Sequence, residues 1–297
     1  MTKTYAAADI GSNTAHLLVA ATDGELVMRI DNVNEWIPLG EVVTRQGEVP
    51  KDTLEMLILA MKEFRRVATS HKADRFYVFA TEGLRMAKNH KAVIDRIAKE
   101  AGVQVNIISP QQEAQFSCRG SELDSKNLGA TALIEVGGGS VQVATLKDHK
   151  IQTQVSLPLG TGRLIAESGL LSPCPDYAKR AARTYINRVL SQANLEPVEG
   201  HAVLSGGVAR GLWRALHPDG EKHLSKYELE YLRRSVENLA IDRIISRFGV
   251  KPKRAGTLLP GSMVYLALME KLEITEAFVS TFGVREGAIL EMSAGKI

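Results

Sequence analysis

Two short turns constrain this chain more than anything else in it. Asp9-Ile10-Gly11-Ser12-Asn13-Thr14 and Glu135-Val136-Gly137-Gly138-Gly139-Ser140 lie 126 residues apart and keep the same order of acid, β-branched apolar residue, glycine and terminal hydroxyl. Apolar runs flank both, over 5–22 and 130–146, so each reads as strand, tight turn, strand. Such a hairpin carries a carboxylate to the end of its first strand. Small residues in the turn then let backbone N–H groups approach a ligand closely, and nests of this kind hold anions. A lone glycine turn is also what any hairpin needs. Repetition in register is what selects the phosphate reading. Acting together, Gly11, Ser12, Asn13 and Thr14 with Gly137, Gly138, Gly139 and Ser140 would clamp a phosphate chain or a nucleotide tail. Asp9 and Glu135 would then hold a hydrated divalent cation that offsets the negative charge.

The rest of the chain alternates. Leu54, Leu57, Ile58, Met61, Phe64 and Ala68 recur at helical spacing. A strand over 75–80, a helix over 91–101 stopped at Gly102, and a strand over 103–108 follow. Ser109-Pro110-Gln111-Gln112 combines a capping serine, proline at the first helical position and glutamine three residues after the cap, which puts Glu113 in the first turn of a helix. Beyond Gly160 the pattern is mainly helical, over 161–171, 175–193, 208–216, 225–248 and 260–272, with short strands near 201–204 and 277–281 and a last helix over 284–292. Alternating strands and helices favour an α/β sheet. At 297 residues, two lobes are expected: residues 1–122 and 123–297, the last helix being free to pack back on the first lobe.

Charge separates the halves. Residues 1–148 carry a net −2 and residues 149–297 a net +5, an asymmetry that draws polyanions toward one lobe, although scattered solvated Lys and Arg produce it too. Cys118 and Cys174 belong to no metal-ligand or redox spacing, so both are expected to pack as small apolar residues in a reducing compartment. The N-terminus has no leader pattern and no stretch approaches a membrane span, which points to a cytoplasmic protein without a membrane partner.

Six blocks, in order, resemble the signature blocks of the exopolyphosphatase and guanosine pentaphosphate phosphatase family. They are Asp9 to Thr14, Ala80-Thr81-Glu82-Gly83-Leu84-Arg85-Met86-Ala87-Lys88-Asn89, Ser109 to Ala114, Glu135 to Ser140, Ser156-Leu157-Pro158-Leu159-Gly160-Thr161-Gly162-Arg163-Leu164, and Val284-Arg285-Glu286-Gly287. The length resembles the short form of the family. The resemblance implies two actin-like (ribonuclease H-like) lobes with an interdomain cleft, Mg²⁺ or a similar divalent cation as cofactor, and a homodimer. The implied substrates are inorganic polyphosphate or guanosine pentaphosphate, with no nucleic-acid partner. It also implies that the two loops hold phosphates, that Arg85 neutralises charge and that Glu113 is the base activating water. By position alone Arg85 would be a surface ion-pair partner and Glu113 a first-turn acid favoured by the helix dipole.

Three departures set the chain apart from the family pattern, and two of them remove acids. Gln142 stands where that pattern has a second catalytic glutamate, Glu135 where it has aspartate, and Gln111-Gln112 where acids are common. An amide orients water but accepts no proton, so a polyphosphate, alarmone or nucleotide binder with weakened catalysis is a second reading. Leu204-Ser205-Gly206-Gly207-Val208-Ala209-Arg210 resembles the glycine pair beside adenosine in other actin-like proteins, which leaves nucleotide binding by Gly206 and Gly207, and an ATP-dependent kinase, as a third reading; it is also what a strand-to-helix turn requires.

Overall fold

A computed structural model describes residues 2–297. The chain divides into two compact units, one formed by residues up to Leu123 with Phe282–Ile297 and one by Asp124–Thr281. The terminal helix thus groups with the first unit, the placement that the sequence reading leaves open for it while drawing the second lobe to residue 297.

In the first unit, β1 (Lys3–Ile10), β2 (Thr14–Thr22) and β3 (Val27–Trp36) form an antiparallel meander, and β4 (Arg75–Ala80) and β5 (Val105–Ile107) add in parallel beyond β1, giving the order β3-β2-β1-β4-β5. Helices α1 (Leu39–Gln46), α2 (Lys51–Ser70), α3 (Glu82–Arg85), α4 (His90–Ala101), α5 (Pro110–Ser125) and α12 (Val284–Ser293) accompany this sheet. Period-two alternation decides what each face buries. Ala6, Ala8 and Ile10 join Leu57, Met61, Phe64 and Ile97 of α2 and α4 in one core. Tyr5 and Ala7 join Phe79, Phe116, Ile289 and Met292 in another. Asp9 shares the parity of Tyr5 and Ala7, so it emerges on the face covered by α12.

The second unit repeats the plan. β6 (Ala130–Val136), β7 (Val141–Lys147) and β8 (Lys150–Leu157) make the meander; β9 (His201–Ser205) and β11 (Glu276–Val279) add in parallel beyond β6, and β10 (His223–Ser225) closes that edge antiparallel. Its helices are α6 (Thr161–Ser168), α7 (Asp176–Ser191), α8 (Gly206–Leu216), α9 (Lys226–Val236), α10 (Ile241–Phe248) and α11 (Pro252–Lys271). Their apolar faces and the sheet form one core around the fully buried Tyr265. The echo of the two turns is therefore an echo of topology, a meander extended by parallel strands in both units.

The expected helix over 225–248 is two helices. α9 ends where the Glu237 carbonyl accepts the Cys174 N–H at 2.8 Å, a tertiary bond that periodicity does not reveal. The helix expected from Pro260 begins at Pro252 instead, because proline at the start satisfies the first turn while Pro260 sits inside, packed among buried Leu258, Leu259 and Val264. β3, α1 and β8, absent from the sequence reading, complete the two meanders and the turn after the first.

Asp124 fastens the two ends of the second unit. Its carboxylate accepts hydrogen bonds from Ser280 Oγ (2.6 Å), Thr281 N (2.9 Å), Thr281 Oγ1 (2.9 Å) and Lys222 Nζ (3.0 Å). No helix among the described residues is long and apolar enough to cross a membrane.

Candidate active site

The first loop is tight and braced from two sides. Gly11 N donates to Thr14 O (2.9 Å), closing the turn, while Ser12 O accepts from Gly40 N (2.7 Å) and Asn13 O from Ile37 N (3.1 Å). Gly40 and Gly83 are needed for closeness. A Cβ on Gly40 would lie 2.6 Å from Ser12 Cβ, and one on Gly83 would lie 3.1 Å from Ser12 Cα. Ser12 Oγ donates to the buried Glu82 at 3.3 Å. With its carbonyls taken, the loop leaves the N–H groups of Ser12 and Asn13 without a protein acceptor among the described residues, the arrangement of a backbone anion nest.

From that loop a run of contacts leads to Glu113. Glu82 and Gly83 open α3, and Arg85 at its end donates from Nη1 to Ile108 O (2.6 Å), which aims the guanidinium at the start of α5. There Ser109 Oγ accepts from Gln112 N (3.2 Å) and Gln112 Oε1 from Ser109 N (3.0 Å), the reciprocal cap expected from the sequence. Glu113 follows, with Oε2 3.8 Å from Arg85 Nη2 and the two side chains 15% and 22% exposed. The carboxylate is thus mostly buried beside a guanidinium. Asp9 is engaged differently: Arg285, on the first turn of α12, donates to its carboxylate in a largely buried ion pair.

The second loop is held through its carbonyls. Gly137 O accepts from Thr161 N (3.0 Å), Gly138 O from Arg163 N (3.0 Å), and Gly139 O from Gly160 N and Arg163 Nε (both 3.1 Å). A Cβ on Gly160 would collide with the backbone of Gly138 and Gly139. The N–H groups of Gly138, Gly139 and Ser140 again have no protein acceptor among the described residues. Tyr265, on α11, braces the strand behind: its hydroxyl accepts from Val136 N (3.2 Å) and donates to Ser205 O (3.3 Å), and complete burial pushes its pKa well above the ordinary range.

Gln142 is committed to the sheet. It sits across from Glu135 on β6 and Ser156 on β8; its amide nitrogen donates to Ser156 Oγ (3.0 Å) and its carbonyl accepts from Gln154 (2.6 Å). Glu135 packs against Gly206, whose φ of +89° requires glycine and whose Cβ would lie 2.8 Å from Glu135 Oε1. Beside it, the space over Gly207 meets the Arg254 guanidinium at 3.0 Å.

Among the described residues no group of three or more His, Cys, Asp or Glu side chains is placed to hold a metal ion. Within its own unit, each loop tip carries one carboxylate, Asp9 in the first and Glu135 in the second. That donor chemistry fits Mg²⁺ bound through one or two carboxylates, water and phosphate oxygens, and does not fit a protein cage.

The sequence reading singles out Leu157 to Gly160 as part of a block but passes over Ile37 to Gly40, and gives neither a bracing role, although a signal exists. Ile37-Pro38-Leu39-Gly40 and Leu157-Pro158-Leu159-Gly160 are nearly the same tetrapeptide, each ending a meander, and each places its glycine under a loop.

Two like-ordered α/β sheets, each with a glycine turn at the tip of its first hairpin, define an actin-like protein. The profile of the Ppx/GppA phosphatase family matches residues 18–295, and the chain belongs to that family. Exopolyphosphatase 1 of Mycobacterium leprae is 27% identical over 297 residues, covering 95% of this chain and 87% of that protein. Exopolyphosphatase 1 of Mycobacterium tuberculosis is 28% identical over 298 residues, covering 95% and 86%. Among solved structures, the Aquifex aeolicus member of the Ppx/GppA family superposes with a TM-score of 0.83 at 25% identity, covering 100% of this chain and 99% of that one. The actin-like fold expected from the signature blocks is thus the observed one.

Proposed function

We propose that the chain is an exopolyphosphatase that releases the terminal phosphate of inorganic polyphosphate. The observation carrying this reading is the contact run from the Ser12 nest through Glu82 and Gly83 to Arg85 and on to Glu113, which sets donors, a cation and a carboxylate in one unit. Glu113 accepts the proton of a water as its oxygen attacks the terminal phosphorus, and the bond to the bridging oxygen breaks in line. Arg85 and the loop N–H groups stabilise charge on the phosphoryl oxygens. Asp9 in the first unit, and Glu135 in the second, are the carboxylates that would hold Mg²⁺, which when bound offsets charge on the phosphate chain. The products are orthophosphate and a chain one residue shorter.

Phosphate release from long-chain polyphosphate and from guanosine pentaphosphate, compared between the wild type and Glu113→Gln, tests the reading. Turnover is expected to fall on the order of 10²- to 10⁴-fold; retention of turnover in Glu113→Gln overturns the assignment of the base. The pentaphosphate arm reports whether a guanosine end is accepted.

A second reading, a polyphosphate binder with weak turnover, draws on Gln142, whose amide atoms are both engaged by β8. On that reading Gln142→Glu gains at least about tenfold in turnover, and unchanged turnover overturns it.

A further inference from the structure

Away from the loops, the second unit has a cavity of about 240 Å³ between α7 and α9, lined by Asp176, Lys179, Arg180, Arg183, Arg233 and Glu237. Its floor is fixed. Lys179 and Arg233 have side chains only 18% and 14% exposed. Lys179 pairs with Asp176 (2.8 Å), and Arg233 pairs with Glu237 (2.7 Å) and Glu230 (2.7 Å). The Cys174 N–H bonded to the Glu237 carbonyl ties the entry of α7 to the end of α9, so the two walls cannot drift apart. Both acids of the lining are therefore neutralised within it.

The cations are not. Arg180 and Arg183, exposed on the rim, enter no hydrogen bond or ion pair among the described residues. The lining carries four cations and two acids, and the excess is these two guanidinium groups. Guanidinium forks match tetrahedral oxyanions with paired N–H donors, and they lose little hydration when they bind one. A carboxylate ligand would use one fork; two forks above a floor whose charges are paired suit a group with oxygens on several sides and more than one negative charge.

We propose that this cavity is a second oxyanion site that takes phosphoryl groups, either free orthophosphate or the phosphates of a polyphosphate chain. It uses none of the residues assigned to hydrolysis and stands or falls separately from that assignment.

Calorimetric titrations with orthophosphate, tripolyphosphate and long-chain polyphosphate test it, in the Glu113→Gln background so that nothing is consumed. Arg180→Ala/Arg183→Ala is expected to weaken at least one of these anions by about 10- to 100-fold and to flatten its salt dependence, while Arg180→Lys/Arg183→Lys keeps most of the affinity. Loss for orthophosphate identifies a product site; loss for the long chain alone identifies anchorage of the polymer. Circular dichroism of each variant monitors folding, and crystals of the unmutated chain soaked in tungstate give a readout that needs no variant. Unchanged affinities for all three anions, or no tungstate against Arg180 and Arg183, overturn the proposal.

Discussion

The two glycine loops share a topology and differ in what holds them. The first is wedged from its side-chain side, with Ser12 lying between Gly40 and Gly83 and bonded to Glu82. The second is drawn down by its backbone, with three successive carbonyls bonded to the segment from Gly160 to Arg163. The acids differ in the same sense: an arginine from the far end of the chain engages Asp9, whereas Glu135 lies against a glycine that leaves no room for a side chain. A duplicated frame can thus keep the direction of its N–H donors while the supports beneath diverge.

Substitutions at the supports break or sharpen this contrast. The largest effect is expected at Arg285, whose loss leaves the Asp9 carboxylate buried without its partner, at a cost of about 3–5 kcal/mol; Arg285→Met with Asp9→Asn should regain most of it in urea unfolding. Full cost in the double variant would mean that Arg285 acts through packing alone. Next comes Gly160→Ala. Its Cβ meets backbone that cannot move without the loop, so roughly 1–3 kcal/mol of stability and about 10²-fold in kcat/KM should go. Gly40→Ala meets Ser12 Cβ at 2.6 Å and Ser12 Cα at 3.3 Å, a less direct clash with backbone than at Gly160, and should cost about 1 kcal/mol. Equal losses at Gly40 and Gly160 in thermal unfolding and steady-state assays would erase the distinction between side-chain and backbone support.

The smallest effect is a pH dependence confined to the second unit. Hydrogen bonds from Arg233, and then Arg234, hold the Glu230 carboxyl down at about 2 despite partial burial. Its folded pKa lies below its unfolded one, so its contribution is present above about 4.5 and fades as pH falls toward about 2. Solvent screening keeps this under about 1 kcal/mol. The gap in stability between the wild type and Glu230→Gln should therefore close across that window, and a gap constant with pH would refute the ion-pair origin.

Much of this was legible in sequence because it is local. A hairpin announces itself through alternation and a glycine turn, and the Ser109 cap through residues three apart. The supports are non-local. Gln142 looks like a water-facing amide until β8, missed because its polar residues resemble a loop, brings Ser156 and Gln154 across the ladder. Arg285 and Asp9 are separated by almost the whole chain, and no spacing rule joins them. The proline-leucine-glycine repeat was readable, but its meaning depends on which backbone each glycine lies under.

Asp124 carries a consequence for how the molecule can be handled. Because the carboxylate of the residue that opens the second unit grips the last residues leaving it, that unit behaves as a loop already tied at its neck. Its severed ends would lie within bonding distance of each other, so a few residues of linker suffice to circularise a fragment spanning 124–281, with new termini opened at an exposed turn on its surface.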